Sequence, residues 1–316
     1  MHPLDALKEF TTVVTDSDDI HAVLAYQPHD ATLTPSLILK AATLTDYQPL
    51  IAEAIQYASL QGGNRETRII NASDRLAVNA GVEILKHIPG GVSAGIDPRL
   101  SFNRGLCVSR AEKLVKMYEE QGIDRSRLLI TLAATWEGIK AAETLEQNGI
   151  RCNLTLLFSF AQARACAEAG VCLISPPVGP VCDWYQSRYP DSSYVAENDP
   201  GVKSVRAIYD YYKKHRYMTI VMATGFRQPE QVLALAGCDR LAVSPELLRA
   251  LKDSESTIER QLIPSTEAFH QPAPLAEDEF RWLHNQEAMA VEKLAEGIRQ
   301  LAIDQQKLED MLAARL

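Results

Sequence analysis

The sequence predicts an α/β protein, a (β/α)8 TIM barrel with additional C-terminal helices, and three observations carry that prediction. Short apolar segments rich in β-branched residues alternate with longer stretches of helical period, and eight such segments can be counted. None has the clean apolar–polar alternation of a half-exposed strand, as expected where both faces of a parallel sheet are covered. A chain of 316 residues is long enough for one such barrel, a fold that commonly takes roughly 250 residues or more. A single domain over residues 1–316 is therefore expected.

In chain order the strand segments are Thr11 to Val14, Ala31 to Thr34, Val92 to Ile96, Leu128 to Ala133, Cys152 to Phe158, Val171 to Ser175, Thr219 to Thr224 and Arg240 to Val243. Trp136 to Gln147, Phe160 to Ala169 and Ser204 to His215 lie between them with helical spacing. Gly149 and Gly170 follow two of these, where glycine ends a helix by taking a left-handed backbone without a Cβ penalty. Beyond the eighth strand, Pro264 to Ala276 is polar and contains prolines. Met289 to Leu312 then returns to helical spacing, a last helix expected to pack on the barrel or on a second subunit. No short-period repeat or low-complexity tract interrupts the pattern.

The formal charge of -9 and the pI near 5.4, with no basic run, argue against nucleic acid or an anionic membrane as partner and for a small-molecule substrate. No apolar stretch reaches the ~18 to 20 residues that span a bilayer, and Met1 to Phe10 lacks the layout of a secretion signal, so a cytoplasmic protein is expected. Cys107, Cys152, Cys166, Cys172, Cys182 and Cys238 form no C-x-x-C pair and mostly sit in apolar runs, as reduced core thiols do.

In a barrel of this kind the active site is built at the carboxyl ends of the strands. The run CNLTLLFSFAQARACAEAGVCLISPPV, Cys152 to Val178, resembles the fifth and sixth strand region of bacterial transaldolases, where N-L-T-L-x-F-S-x-x-Q-A is a family signature. TTVVTDSDDI (Thr11 to Ile20), DATLTPSLIL and the C-terminal HNQEAMAVEKLAEGIRQLAIDQQKLE are similar to the same family, so the resemblance covers essentially the whole chain. It implies a class I aldolase that needs no cofactor, works in the pentose phosphate part of carbohydrate metabolism and is monomeric or homodimeric.

The resemblance also implies site residues. It assigns Asp16 as the acid–base carboxylate and Asn153, Thr155, Ser175 and Arg227 as substrate contacts, and Thr32, Thr34 and Thr131 are expected to be substrate-binding beside them. It further implies a lysine at the end of strand four, whose imine accepts the electrons released on carbon–carbon cleavage. In LLITLAATWEG that position is Thr131, and a hydroxyl cannot form an imine. Lys40, Lys86, Lys113, Lys116, Lys140, Lys203, Lys213 and Lys214 fall in helical patterns or loops. A metal in place of the imine would need clustered His and carboxylate ligands, and none of the seven histidines, His2 among them, lies at a predicted strand end. No metal or cofactor is expected. Gly95, Thr34, Pro180 and Gly225 are further departures from the family's pattern.

Blander readings stand beside these. Asp16 could cap the helix beginning near Asp19, Arg227 could pair with a carboxylate on the rim, and Thr131 could be passive lining. The departures lead to an expectation that Schiff-base transaldolase activity is lost. The scaffold would then be repurposed for lysine-independent acid–base chemistry through Asp16 on a small carbonyl or polyol metabolite, with specialised metabolism as one setting. A catalytically silent homologue and a residual transaldolase are the alternatives.

Overall fold

The computed structural model describes residues 3–17, 19–26, 28–254 and 258–316; His2 lies outside them. The elements run α1 (Pro3–Lys8), β1 (Thr12–Thr15), α2 (Ile20–Ala25), β2 (Ala31–Leu33), α3 (Pro35–Ala41), α4 (Gln48–Gln61), α5 (Arg65–Leu85), β3 (Val92–Gly95), α6 (Arg104–Glu120), β4 (Leu128–Ala133), α7 (Trp136–Gln147) and β5 (Cys152–Thr155). They continue with α8 (Phe160–Glu168), β6 (Leu173–Ile174), α9 (Gly179–Arg188), α10 (Pro200–Lys214), β7 (Ile220–Ala223), α11 (Pro229–Ala234), β8 (Arg240–Val243), α12 (Pro245–Asp253), α13 (Glu277–Asn285) and α14 (Ala288–Ala313). Eight strands pair in parallel in the order β1-β8-β7-β6-β5-β4-β3-β2, a nearly closed (β/α)8 TIM barrel with helices added at the C-terminus. β1 and β2 are the two ends of this ladder. An ion pair between Arg240 on β8 and Asp30, just before β2, crosses the seam behind β1 at the amino ends of the strands.

Residue parity along the strands divides the core in two. Leu33, Ala94, Ile130, Leu132, Leu154, Ile174, Val221 and Leu241 join the large cluster packed under the helices. Val14, Leu129, Leu173, Met222 and Ala242 form a separate cluster that fills the barrel. Strand side chains alternate in direction, so Thr32, Ser93, Thr131, Asn153, Thr155 and Ser175 share the inward parity.

The strands lie where the sequence puts them: β4 and β8 have the expected ends, β1 is displaced by one residue to Thr12–Thr15, and the others are shorter. β5 stops at Thr155 instead of Phe158 because Leu156 takes φ +56°, a left-handed conformation that breaks the ladder. α10 begins at Pro200, ahead of Ser204, because Asp199 caps it by accepting from the N–H groups of Gly201 and Val202. Gly149 and Gly170 do have positive φ, +75° and +70°, just beyond α7 and α8. The six cysteines are free thiols, five of them buried and Cys172 partly so. Burial pushes Cys107 up to about 11 and Cys182 up to about 12, which leaves both as inert packing.

The last helix, α14, packs against α3, α5 and the turn Pro98–Leu100. Arg99 in that turn pairs with Asp97 at 2.8 Å and also with Glu309 of α14. Gly297 lets α14 approach the end of β5, since a Cβ there would stand 2.5 Å from Leu156 Cδ2. No helix among the described residues is long and apolar enough to cross a membrane.

Candidate active site

The register of the central strands sets three positions side by side. Gly95 on β3 is the Cα partner of Thr131 on β4, and Thr131 is the partner of Asn153 on β5. Ser175, just past β6, donates its hydroxyl to Asn153 Oδ1 at 2.6 Å, with both residues buried. That bond takes the amide's acceptor and leaves its N–H groups to be donated. The Thr131 hydroxyl is buried and has no hydrogen-bond partner, a condition that costs about 1–3 kcal/mol and leaves the group available to a ligand. Thr155 ends β5 half-buried on the same inward parity.

The turn after β5 explains two residues of the signature segment. Gln162, fully buried, accepts from the N–H groups of Phe158 and Ser159 at 2.8 Å and donates to the carbonyls of Ala134 and Leu156 at 2.9 and 3.0 Å. Ser159 completes a capping box with it at the start of α8. These side chains fix the left-handed Leu156 and hence the direction of Thr155; their task is the scaffold.

The other predicted residues gather across the mouth, at the seam. A cavity of about 470 Å³ is lined by Asp16, Thr32, Thr34 and Arg227, together with Thr15, Ser17, Ser36, Gly225, Phe226, Ser244, Pro245, Glu246, Leu301 and Asp304. Thr131, Asn153, Thr155 and Ser175 do not line it, so the candidate residues form two groups at the carboxyl ends of the strands. Asp16 is exposed, and its N–H is bonded to Val243 O at 2.9 Å. The helix beyond it is capped by Asp19, which accepts from His21 N at 2.9 Å. Thr34 caps α3, accepting from Leu37 N at 3.1 Å. Arg227 pairs with Asp183 of α9 at 2.9 Å, the rim pairing weighed as its blander role.

Sequence reasoning missed Glu246, Leu301, Asp304 and Asp183. Glu246 had a signal, because Ser244-Pro245-Glu246 directly follows the eighth strand segment. Leu301 and Asp304 had none, since nothing local says that α14 folds back over the mouth. The segment after β6 is zipped to the end of β7: Val178 N bonds Thr224 O at 2.8 Å, and Gly179 N bonds Gly225 O at 3.0 Å. Gly225 has φ +68°, and a Cβ there would lie 3.2 Å from Pro180 Cδ. Glycine at 225 is thus required by the backbone that faces Pro180.

The model of the Transaldolase/Fructose-6-phosphate aldolase family matches residues 13–312. "Transaldolase 1" of Pectobacterium atrosepticum and "Transaldolase" of Sodalis glossinidius are each 67% identical to the chain over 316 residues, covering 100% of both sequences. "Transaldolase A" of Escherichia coli is 59% identical over the same span, again with 100% of each covered. These relatives overturn the expectation drawn from Thr131, that ordinary transaldolase activity is lost and that the chain is a pseudoenzyme, or one repurposed to other chemistry, for want of a catalytic lysine. That inference ranked a few strand-end positions above the rest of the chain; identity this high over the full length supports ordinary transaldolase function instead. Matched over nearly its full length, the chain belongs to the Transaldolase/Fructose-6-phosphate aldolase family.

Proposed function

We propose that the chain is a cytoplasmic transaldolase, a single-domain enzyme that moves a ketose-derived fragment between sugar phosphates at the mouth of its barrel. The observation that carries this reading is the 59–67% identity to transaldolases over the whole chain. The polar residues on the inward parity support it. Asp16 is the carboxylate that exchanges the substrate's hydroxyl proton as the carbon–carbon bond breaks and re-forms. Asn153 and Ser175, fixed by their mutual bond, present N–H and hydroxyl groups to the sugar, with Thr131, Thr155, Thr32 and Thr34 as further hydroxyl contacts. Arg227 takes the phosphate. None of the eight strands carries a lysine, so the amine whose imine takes up the electrons of carbon–carbon cleavage has to come from outside them. The reading includes a homodimer, for which the exposed Phe102, Leu106 and Trp282 offer apolar surface and sedimentation is the direct measure.

The experiment is transfer from fructose 6-phosphate to erythrose 4-phosphate, followed through the released glyceraldehyde 3-phosphate. Borohydride trapping with fructose 6-phosphate and mass measurement run beside it. The expected result is turnover and a reduced adduct on one lysine. A wild-type protein inert in this assay refutes the reading, most sharply if a Thr131→Lys variant turns over where the wild type does not.

A further inference from the structure

Arg227 is held from three sides. Its backbone N–H donates to Gln231 Oε1 at 2.8 Å, and Gln231 Nε2 donates to Asp199 Oδ2 at 2.7 Å. Asp199 is fully buried, and its other oxygen caps α10, so the main chain at 227 is anchored to the scaffold. The stem of Arg227 lies on Gly179, where a Cβ would come within 2.7 Å of its Cγ and 3.0 Å of its Nε. The guanidinium is turned to α9, where Nε and Nη2 both donate to a single oxygen of Asp183, at 3.1 and 2.9 Å. Each side chain of this pair is about half exposed, 53% for Arg227 and 48% for Asp183.

Arg227 lines the mouth cavity and Asp183 does not; the other ionisable side chains lining it are Asp16, Glu246 and Asp304. Arg227 is therefore the one cation among the described lining residues. Any preference of this cavity for a phosphate group depends on that single charge, and a carboxylate behind it already engages two of its five N–H donors.

We infer that Asp183 is a specificity-determining residue, competing with the substrate's phosphate for Arg227 and so setting how strongly the mouth prefers a phosphorylated sugar to a free one. The inference rests on the reading above, in which Arg227 takes the phosphate. Asp183 touches no reacting atom; it acts through the guanidinium. An approaching phosphate must either draw Arg227 away from Asp183 or bind beside it against like-charge repulsion, and both weaken the complex. Because the pair is exposed, its contribution is modest and screened by salt.

The test is Asp183→Asn, which keeps size and hydrogen bonding while removing the charge. Binding of fructose 6-phosphate and of fructose is measured by calorimetry, and KM and kcat are measured with fructose 6-phosphate as donor. The expected result is a Kd and KM for fructose 6-phosphate lowered about two- to fivefold, the range an exposed ion pair spans. Fructose affinity and kcat stay unchanged, and the gain shrinks at high salt. In an Arg227→Gln background the same substitution should change nothing. A phosphate-to-free affinity ratio that stays constant, as it does if both sugars gain equally, or that shifts without Arg227 overturns the inference. A wild type inert in the transfer assay defeats the functional reading alone, since the calorimetric ratio still decides this one.

Discussion

Glu146, at the carboxyl end of α7, reaches under the sheet and accepts from two strands at once. Its Oε1 takes the N–H of Cys152, which begins β5, at 2.8 Å and the N–H of Cys172, just before β6, at 2.6 Å. Replacing Glu146 by alanine orphans both donors. A buried unsatisfied N–H costs about 1–3 kcal/mol, and because Glu146 is only partly buried, water offsets some of that. The expected loss is about 2–4 kcal/mol, read as a shift of the urea midpoint. Glu146→Gln retains an oxygen acceptor for both N–H groups and should cost about 1 kcal/mol or less, the scale of one altered hydrogen bond. The pH dependence separates these effects. Burial holds the Glu146 carboxyl above its usual 4.5, outweighing the lowering by the two N–H groups and by Arg151. The folded state therefore binds that proton more tightly than the unfolded one, so this contribution is full below about pH 4.5 and is lost as pH rises through the raised folded value. Glutamine does not titrate, so the gap between wild type and Glu146→Gln should narrow as pH rises from 4.5. An alanine variant within ~0.5 kcal/mol of wild type, the range of an ordinary surface change, or a gap that widens with pH, would show that the carboxylate does not hold these strands.

Thr131→Val should raise the melting temperature, by up to about 1 kcal/mol of stability, since it deletes a buried hydroxyl without a partner; it should also raise KM if that hydroxyl meets substrate, and a lower melting temperature would contradict the first half. Gly225→Ala places a Cβ on a φ of +68° facing Pro180, a strain of about 1–2 kcal/mol, and should weaken binding of fructose 6-phosphate by displacing Arg227, which calorimetry checks. Glu53 is held below the usual carboxylate range first by its bond to Arg75, then by Asn79. Its contribution is present above about pH 4.5 and lost as pH falls through the depressed folded value, so Arg75→Ala should flatten the acid limb of a stability–pH curve; an unchanged limb refutes this.

The barrel was legible because it is written in local patterns. Each strand segment is short, apolar and bounded by turn residues, and parity then orients every side chain once the sheet is parallel. Its edges were less so: Leu156 ends β5 with a left-handed backbone that no residue preference announces, since it is enforced by Gln162. The start of α10 could have been read, because Asp199-Pro200 is a cap followed by a proline at the first helical position. Once Leu154 is placed under the helices, the alternation of the strand turns Asn153 and Thr155 inward. The partner of Arg227 has no such local signal, because Asp183 lies 44 residues away in the chain and only the zipping of the β6 and β7 ends brings them together. Thr34 shows a local signal being passed over, as Thr34-Pro35 is a helix cap and first-turn proline. The loss of activity inferred from Thr131 failed because one position's chemistry was asked to speak for the whole chain.

The placement of α14 has a consequence for biosynthesis. Leu301 and Asp304, which close one wall of the mouth cavity, lie on α14, after all eight strands, while the surfaces α14 docks against, α3 and the Pro98–Leu100 turn, are translated long before. Chains emerge from the ribosome amino end first, at about 5–20 residues per second. A nascent barrel can thus assemble its strands while this wall is still missing, and the pocket takes its final shape only once α14 has followed them out of the ribosome.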